Sequence, residues 1–433
     1  MFTIKIGNMS FSSLKGDFLQ MYLYHNIDNE LIMNVDYNRN RQFVIESLKR
    51  RFSTYGYEEI STSTFEHYNL YVNMNGTVNH QEMIKTIDNT GQVLVLRPDI
   101  TIPLTQKIAN NHQTLTEDLR YFYVLDVFRQ SVDSKDFLES TQAGVEYFGN
   151  PSPEADAEII ALAIHILKDF QIENFKIELG HAGFFKQLVS QLALQDDDLN
   201  ELKEYIEAKN VPELEQFIQR VNVNSNVGEI ITSLPFLYGN PSDVLQRAKS
   251  LPLDDKMIQT LKNFEEIYEI LVSYGVENDV VVDLSLINHM DYYSDLIFQG
   301  FVEKVGKPIL MGGRYDTLAN QFDASIPAIG FAYDIDLLLA GIEKEYLPKR
   351  RLLDVIVLYE KAVERKSLEL ATFLREKNYS IITKATDEIA NELAMLIVTV
   401  KPETYIVTYD NEEKTFSKKE ELLQLLQQFR ARK

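Results

Sequence analysis

The 433-residue sequence predicts an α+β fold with a helical insertion and a small α/β domain at its C-terminal end. Three observations indicate this. Continuous apolar runs at 92–98 and 279–286 are typical of buried strands. Residues 184–278 are rich in Leu, Glu and Gln at helical spacing. From residue 347 a second series of short helix and strand patterns begins, and its length is sufficient for a separate domain.

The first part of the chain combines helices and strands. Residues 1–38 have no clear period and predict an irregular lead-in. Four apolar side chains at helical spacing then predict a helix: Val44, Ile45, Leu48 and Phe52. Two strands are expected on either side of a polar loop at 131–140, followed by a largely buried helix at 154–170.

Strands return after the insertion, at 279–286 and 295–305. A strand of small residues at 328–332 then runs into an apolar helix at 335–342. In the last domain we expect a helix, a strand, a helix and a hairpin, at 365–377, 379–384, 387–395 and 404–417, and then a final helix. The predicted domains are 1–38, 39–346 with the insertion at 184–278, and 347–433.

Charge and composition exclude several classes of function. The chain has 43 basic and 65 acidic residues, and a body of net charge -24 over residues 1–348 repels nucleic-acid backbones. Cysteine is absent and the seven histidines form no HExxH pair, so no metal site and no cofactor is expected. No signal-peptide pattern and no long apolar stretch occurs, which predicts a cytoplasmic protein without membrane contact.

Six motifs occur in a fixed order: YGYEEISTSTFE (55–66), LVLRPDITIPLTQ (94–106), VFRQ with STQAGVEYFG (127–149), HMDYYSDLIFQGF (289–301), MGGRYDTL (311–318) and IPAIGFAYDIDLLL (326–339). Together they resemble the histidyl-tRNA synthetase family of class II aminoacyl-tRNA synthetases. The resemblance covers roughly residues 40–340. It implies a class II antiparallel sheet flanked by helices, and a dimer that pairs through residues 40–66.

One set of residues matches the positions that contact histidine in that family. Their chemistry is coherent: carboxylates bind an ammonium group, an arginine binds a carboxylate, and Tyr and Gln can recognise an imidazole. In a strand, Gln142 and Glu146 lie on the same face. The resemblance therefore implies a histidine site formed by Asp99, Thr101, Arg129, Gln142, Glu146, Tyr292 and Tyr293.

A second set, which handles ATP in the family, has lost its cations. The positions of the family's catalytic arginines and neighbouring motif residues are occupied by Asn288, Asp136, Leu138, Leu337 and Gln106, and Ser63 replaces the first-motif proline. Fixed cations at a reacting phosphate each contribute roughly 2.7–4 kcal/mol, by analogy with oxyanion donors. We therefore expect no activation of histidine and no catalytic residue in this chain.

Each motif taken alone also has a purely structural interpretation. Tyr292 and Tyr293 could be ordinary core residues, and Arg129 with Glu146 could be a structural ion pair. The glycines of GGRYD favour a tight turn. His181 is best interpreted as a core or turn residue rather than a ligand.

The degenerate motifs and the stretches LVLRPDITIP, TQAGVEYFG and IELGHAGFF resemble a non-catalytic branch of this family, the regulatory subunits of ATP phosphoribosyltransferase. That resemblance implies a role in the first step of histidine biosynthesis. It also implies a short catalytic subunit as partner, a hetero-octamer, and feedback by histidine as an effector. The alternatives are a degenerate but active histidyl-tRNA synthetase, and a stand-alone histidine-sensing or RNA-binding module.

Overall fold

The computed structural model describes residues 35–72, 79–130, 137–192, 194–287, 292–348, 353–386, 394–409 and 412–431. The chain divides after Leu347 into two compact units, each with its own sheet. Three of the substituted motif positions, Asp136, Asn288 and the side chain of Leu138, lie outside the described residues, and so does the lead-in up to residue 34.

The first unit contains eleven of the described helices, whose bounds are α1 (Val35–Thr54), α2 (Asn69–Val72), α3 (Thr101–Asn111), α4 (Pro153–Asp169), α5 (Ala182–Val189), α6 (Asp196–Glu207), α7 (Val211–Arg220), α8 (Ser225–Ser233), α9 (Pro241–Lys249), α10 (Asp255–Ser273) and α11 (Ile335–Gly341). Helix α1 takes up the last four residues, 35–38, of the predicted lead-in. None of the described helices combines the length and the apolar character that a membrane span requires.

A large sheet forms the centre of this unit, with strands β1 (Glu58–Glu59), β5 (Leu119–Gln130), β6 (Phe137–Phe148), β7 (Phe175–His181), β8 (Tyr238–Gly239), β9 (Val280–Asp283), β10 (Leu296–Val302), β11 (Pro308–Arg314) and β12 (Ala328–Asp334). Their order is β1-β5-β6-β12-β11-β10-β7-β9-β8. All neighbours are antiparallel except the pairs β1–β5 and β7–β9 near the two edges. The predicted antiparallel sheet is therefore confirmed. Strand β6 also takes up residues 137–140 of the predicted polar loop.

Helices cover one face of the large sheet. The predicted face of α1 is buried, with Leu48 and Phe52 fully inaccessible. Helix α4 is buried on nearly all sides, as its all-round apolar pattern predicts. Tyr333 of β12 reaches into this layer, where its hydroxyl donates to the Ala163 carbonyl at 2.7 Å. The main core therefore lies between the sheet and these helices.

The helical insertion runs from α5 to α10, close to its predicted span. It is not purely helical, because strand β8 within it extends the large sheet by pairing with β9. Helix α10 has a side-chain cap at its N-terminus, where the Asp254 carboxylate accepts from the Met257 N–H at 2.8 Å. The insertion thus completes one edge of the sheet.

A second layer covers part of the opposite face. It consists of a three-stranded sheet, β2 (Phe65–His67), β3 (Lys85–Ile87) and β4 (Val93–Leu96) in the order β2-β4-β3, together with α3. Its buried residues pack on Tyr292, Tyr293 and Tyr315. This layer meets the large sheet over β6, β11 and β12, and the cavity described below lies there.

The elements of the second unit are β13 (Leu353–Tyr359), α12 (Glu364–Arg375), β14 (Ile381–Ala385), β15 (Ala394–Val400), β16 (Tyr405–Tyr409), β17 (Glu412–Phe416) and α13 (Lys419–Ala431). Its five strands form one sheet in the order β14-β13-β15-β16-β17. Most of the predicted helix at 387–395 lies outside the described residues, and its last two residues belong to β15. The sequence prediction missed this central strand.

Candidate functional site

The seven residues predicted to contact histidine all line one cavity of about 210 Å³, on the face of the large sheet that carries the second layer. They come from four separate parts of the chain, and up to 194 positions separate the first from the last. The cavity wall is completed by residues outside that set: Tyr123, Pro308, Ile309, Leu310, Met311, Tyr315, Gly330, Phe331, Ala332, Asp334 and Leu337. Whether this cavity holds histidine is taken up under the proposed function.

Strand β6 supplies the floor of the cavity. Gln142, Gly144 and Glu146 alternate onto one face, as the strand period requires. Gly144 is essential for the packing, because a Cβ there would stand 2.5 Å from the Tyr123 hydroxyl. The glycine therefore allows a buried tyrosine ring to lie directly against the strand.

Glu146 is the most unusual charged group in the cavity. Its side chain is 2% exposed and accepts hydrogen bonds from the Thr101 hydroxyl at 2.6 Å and from the Tyr315 hydroxyl. No described lysine or arginine pairs with it, and burial raises its pKa to about 8. Gly330 faces it on β12, where a Cβ would come within 2.0 Å of a carboxylate oxygen. The site thus holds a buried carboxyl group that lacks a positive partner among the described residues.

Asp99 provides a second carboxyl group at the start of α3. One of its oxygens accepts the Ile102 N–H at 2.8 Å, which anchors the side chain to the first helical turn. Burial raises its pKa, while the positive charge of Arg129 acts in the opposite direction. Arg129 itself is held by a 3.0 Å bond from Nε to the Pro98 carbonyl. Among the described ion pairs none joins Arg129 to Glu146, so the structural ion pair considered from the sequence is wrong.

An aromatic wall closes another side. The rings of Tyr292 and Tyr293 lie 4.7 Å apart, and Tyr315 meets Tyr292 edge to face at 5.9 Å. The glycines of GGRYD do not form a turn, as the sequence suggested, but lie within strand β11. A Cβ on Gly313 would approach the Tyr293 ring at 2.7 Å, so Gly313 makes room for the aromatic wall.

The N-terminus of α11 borders the cavity, but its backbone N–H groups already have partners. Asp334 accepts from the N–H groups of Asp336 and Leu337, each at 3.0 Å. Two side chains of α1 reach the same place: Tyr37 donates to Asp336, and Arg41 lies 3.8 Å from it. The Asp334 carboxylate thus occupies the position at which the N-terminus of α11 would otherwise attract an anion.

Sequence reasoning missed several residues that build this region. Tyr315 contacts Glu146 across 169 positions of sequence and Arg41 contacts Thr141 across 100, and no local pattern indicates such contacts. Arg97 of the LRP motif is buried and donates to the carbonyls of Thr62, Ser63 and Asp126, at 2.7–3.1 Å. It therefore ties the first motif to β5 rather than contacting the cavity.

The interpretation of His181 as a core or turn residue is confirmed. The ring is 3% exposed, its Nδ1 accepts the Phe184 N–H at 3.3 Å, and burial lowers its pKa to about 4. It is a neutral cap for α5. In the described part of the chain no three His, Asp or Glu side chains gather in a way that could hold a metal ion.

Comparisons with known proteins agree with this geometry. The family model for histidyl-tRNA synthetase matches residues 35–338. A protein of Oceanobacillus iheyensis named ATP phosphoribosyltransferase regulatory subunit is 41% identical over 381 residues, which are 88% of this chain and 93% of that protein. The chain belongs to the family of ATP phosphoribosyltransferase regulatory subunits. A relative of the same name from Ruminiclostridium cellulolyticum is 33% identical over 84% of this chain and 89% of its own.

Solved structures place this regulatory-subunit family member in the class II synthetase-like fold. A Bacillus halodurans protein described as an ATP phosphoribosyltransferase regulatory subunit/histidyl-tRNA synthetase has a TM-score of 0.72 at 26% identity, covering 83% of this chain and 92% of its own. Histidyl-tRNA synthetase from a Nostoc species has a TM-score of 0.71, covering 90% and 96%, and at 18% identity that likeness concerns the fold alone. The resemblance seen in the six motifs is thereby confirmed.

Proposed function

We propose that this chain is the non-catalytic subunit of an ATP phosphoribosyltransferase that carries out the first step of histidine biosynthesis, and that free histidine binds in its cavity as a feedback effector. Catalysis lies in a separate short subunit. One observation carries the proposal. The cavity retains two buried carboxyl groups suited to an ammonium ion, while the adjoining helix N-terminus is capped by Asp334.

The cavity offers a partner for each polar group of an amino acid. Glu146 and Asp99 suit the α-ammonium group, and Arg129 suits the carboxylate. The tyrosine hydroxyl groups of the cavity and the amide of Gln142 can each form hydrogen bonds with a ring that carries both a donor and an acceptor. A neutral imidazole has that combination, which favours histidine over aliphatic amino acids.

The same cavity is poorly suited to activate an amino acid with ATP. A departing pyrophosphate needs fixed cations, but Asp334 caps α11, and Asp336 and Leu337 lie in its first turn. Arg41 does reach this region, and it lies within 4 Å of two carboxylates, those of Asp126 and Asp336. The local field therefore opposes the binding of phosphate.

A chain that binds histidine without using it can only act through a partner. We propose a short ATP phosphoribosyltransferase chain as that partner, in a hetero-octamer of four copies of each. Histidine then favours a less active arrangement of the complex. By linkage, substrates of the catalytic subunit must weaken histidine binding by the same factor.

Two measurements on the purified chain test the assignment of the cavity. Calorimetry should detect histidine binding, and Glu146→Gln should weaken it about ten- to a hundredfold, since a charge-assisted hydrogen bond contributes roughly 1.5–3 kcal/mol. Histidine-dependent exchange of labelled pyrophosphate into ATP should be absent. Exchange near one per second, an ordinary enzymatic rate, would favour the degenerate synthetase instead. Unchanged affinity in the variant would move the histidine site elsewhere.

A further inference from the structure

Residues 292–295 form the short segment that carries the two tyrosines of the aromatic wall and leads into β10. On one side, hydrogen bonds join this segment to the end of β11. The Ser294 N–H donates to the Arg314 carbonyl at 2.8 Å, and the Ser294 hydroxyl accepts the Asp316 N–H at 3.2 Å. Strand β11 belongs to the cavity itself, so these bonds fix the segment from within the site.

Helix α5, the first helix of the insertion, lies along the other side of segment 292–295. The Ala182 N–H donates to the Asp295 carbonyl at 2.7 Å, and the Lys186 ammonium group donates to the Tyr293 carbonyl at 2.6 Å. Lys186 is an exposed residue, yet its side chain reaches the backbone of a buried cavity residue. Helix α5 therefore contacts the backbone behind the aromatic wall.

Tyr293 stands at one end of a row of contacts that crosses the cavity to Glu146. Its side chain is hydrogen-bonded to that of Tyr292, whose ring meets Tyr315 edge to face at 5.9 Å. The Tyr315 hydroxyl donates to Glu146. All four residues are buried, and all four line the cavity. A displacement of the Tyr293 backbone would therefore disturb the whole row rather than a single hydroxyl group.

The rest of the insertion holds α5 in place. Gln187, the residue after Lys186, donates to the Asp254 carboxylate at 2.7 Å, and Gln191 donates to the same carboxylate at 3.0 Å. Asp254 also caps the 19-residue helix α10, whose buried side chains belong to the main core. Lys186 thus extends from a helix that is fixed to the core and reaches the wall of the cavity.

We infer that Lys186 is a positioning residue for the candidate histidine site, because it holds the backbone of Tyr293, and with it the aromatic wall, from the helical insertion. Lys186 is absent from the described lining of the cavity, so it acts through Tyr293 and not on the ligand. Without this contact the empty protein populates arrangements in which Tyr293 has left its place. The apparent affinity for histidine then falls with the fraction that remains competent to bind. The inference rests on the proposed function, since it concerns the same site.

Calorimetry with histidine on the full chain tests this role. Lys186→Met removes the donor but keeps an unbranched apolar side chain, so histidine affinity should fall about three- to tenfold, the range of a single hydrogen bond. Lys186→Arg retains a cationic donor and should bind histidine within about twofold of the wild type. Lys262→Met is the matched control, because Lys262 is exposed on α10 of the same insertion, and its histidine affinity should equal that of the wild type.

A double-mutant cycle separates positioning from a general loss of stability. Tyr293→Phe removes the hydroxyl group that Lys186 holds in place. Adding Lys186→Met to Tyr293→Phe should therefore cost less histidine affinity than Lys186→Met costs in the wild type. A purely structural role would give the same loss in both backgrounds, together with a lower midpoint of urea unfolding.

Three results would overturn the inference, and they differ in what they say about the proposed function. If the wild type binds histidine and Lys186→Met binds it equally well, Lys186 does not position the site, while the proposed function stands. The same holds if the losses in the cycle are additive or if Lys186→Arg binds as weakly as Lys186→Met. If the wild type binds no histidine, the inference and the histidine part of the proposed function fail together.

Discussion

Histidine binding to this chain should expel a proton from Glu146. In the empty cavity the raised pKa of about 8 means that about nine-tenths of these side chains are protonated at pH 7. An ammonium ion beside the carboxyl group favours the ionised form and lowers that pKa. Binding at pH 7 should therefore release most of a proton from Glu146 for each histidine bound.

The direction in which histidine affinity changes with pH follows from the same lowering of the Glu146 pKa. Protonated Glu146 competes with the ammonium ion, so affinity rises with pH until the pKa of the empty site is passed. Between pH 6.5 and 7.5 the ionised fraction, and hence the affinity, should increase about eightfold. Free imidazole, with a pKa near about 6.5, also titrates at the lower end of this window, so the Glu146→Gln variant supplies the baseline for the imidazole contribution.

Calorimetry in buffers of different ionisation enthalpy measures the released proton directly. Glu146→Gln should remove most of the release and most of the pH dependence, leaving only the smaller contribution of the imidazole, whereas Glu269→Gln, on the exposed side of α10, should change neither. If the wild-type chain bound histidine with no proton release and constant affinity over this window, Glu146 would not be the ammonium partner.

Two further substitutions test the construction of the site and of the sheet that supports it. Gly330→Ala places a Cβ 2.0 Å from a Glu146 oxygen, so histidine affinity should fall at least about tenfold. The control Gly341→Ala, whose Cβ would lie 3.4 Å from its nearest neighbour, should have little effect. Equal histidine affinities of the two variants in calorimetry would refute this. Arg314→Met leaves Asp156 buried without its 2.6 Å partner and should cost about 3–5 kcal/mol in urea unfolding; a loss below about 1 kcal/mol would show that the pair is not needed for stability.

The sequence predicted which residues lie together better than it predicted the details of the fold around them. The family resemblance was sufficient to group Asp99, Glu146 and Tyr293, which line one cavity; that this cavity binds histidine stays a prediction. Contacts between distant strands were not predictable: Tyr315 reaches Glu146 across 169 positions. Such contacts depend on strand order, which local spacing does not encode.

Local residue propensities also led to a wrong prediction of secondary structure in two places. The two glycines of GGRYD suggested a turn, but they lie in a strand because neighbouring rings need the space of a missing Cβ. Strand β15 was overlooked because its first residues, AML, favour helices, whereas its β-branched Ile397, Val398 and Val400 are better suited to a strand. In both cases packing against other strands decided the outcome.

Reconstitution with the short catalytic subunit tests the central claim most directly. The formation of phosphoribosyl-ATP is measured for each chain alone and for the mixture, with and without histidine, alongside size-exclusion chromatography. We expect little activity in either chain alone, a large hetero-oligomer with high activity on mixing, and inhibition of that activity by histidine. A short subunit that is equally active alone and elutes separately from this chain would contradict it.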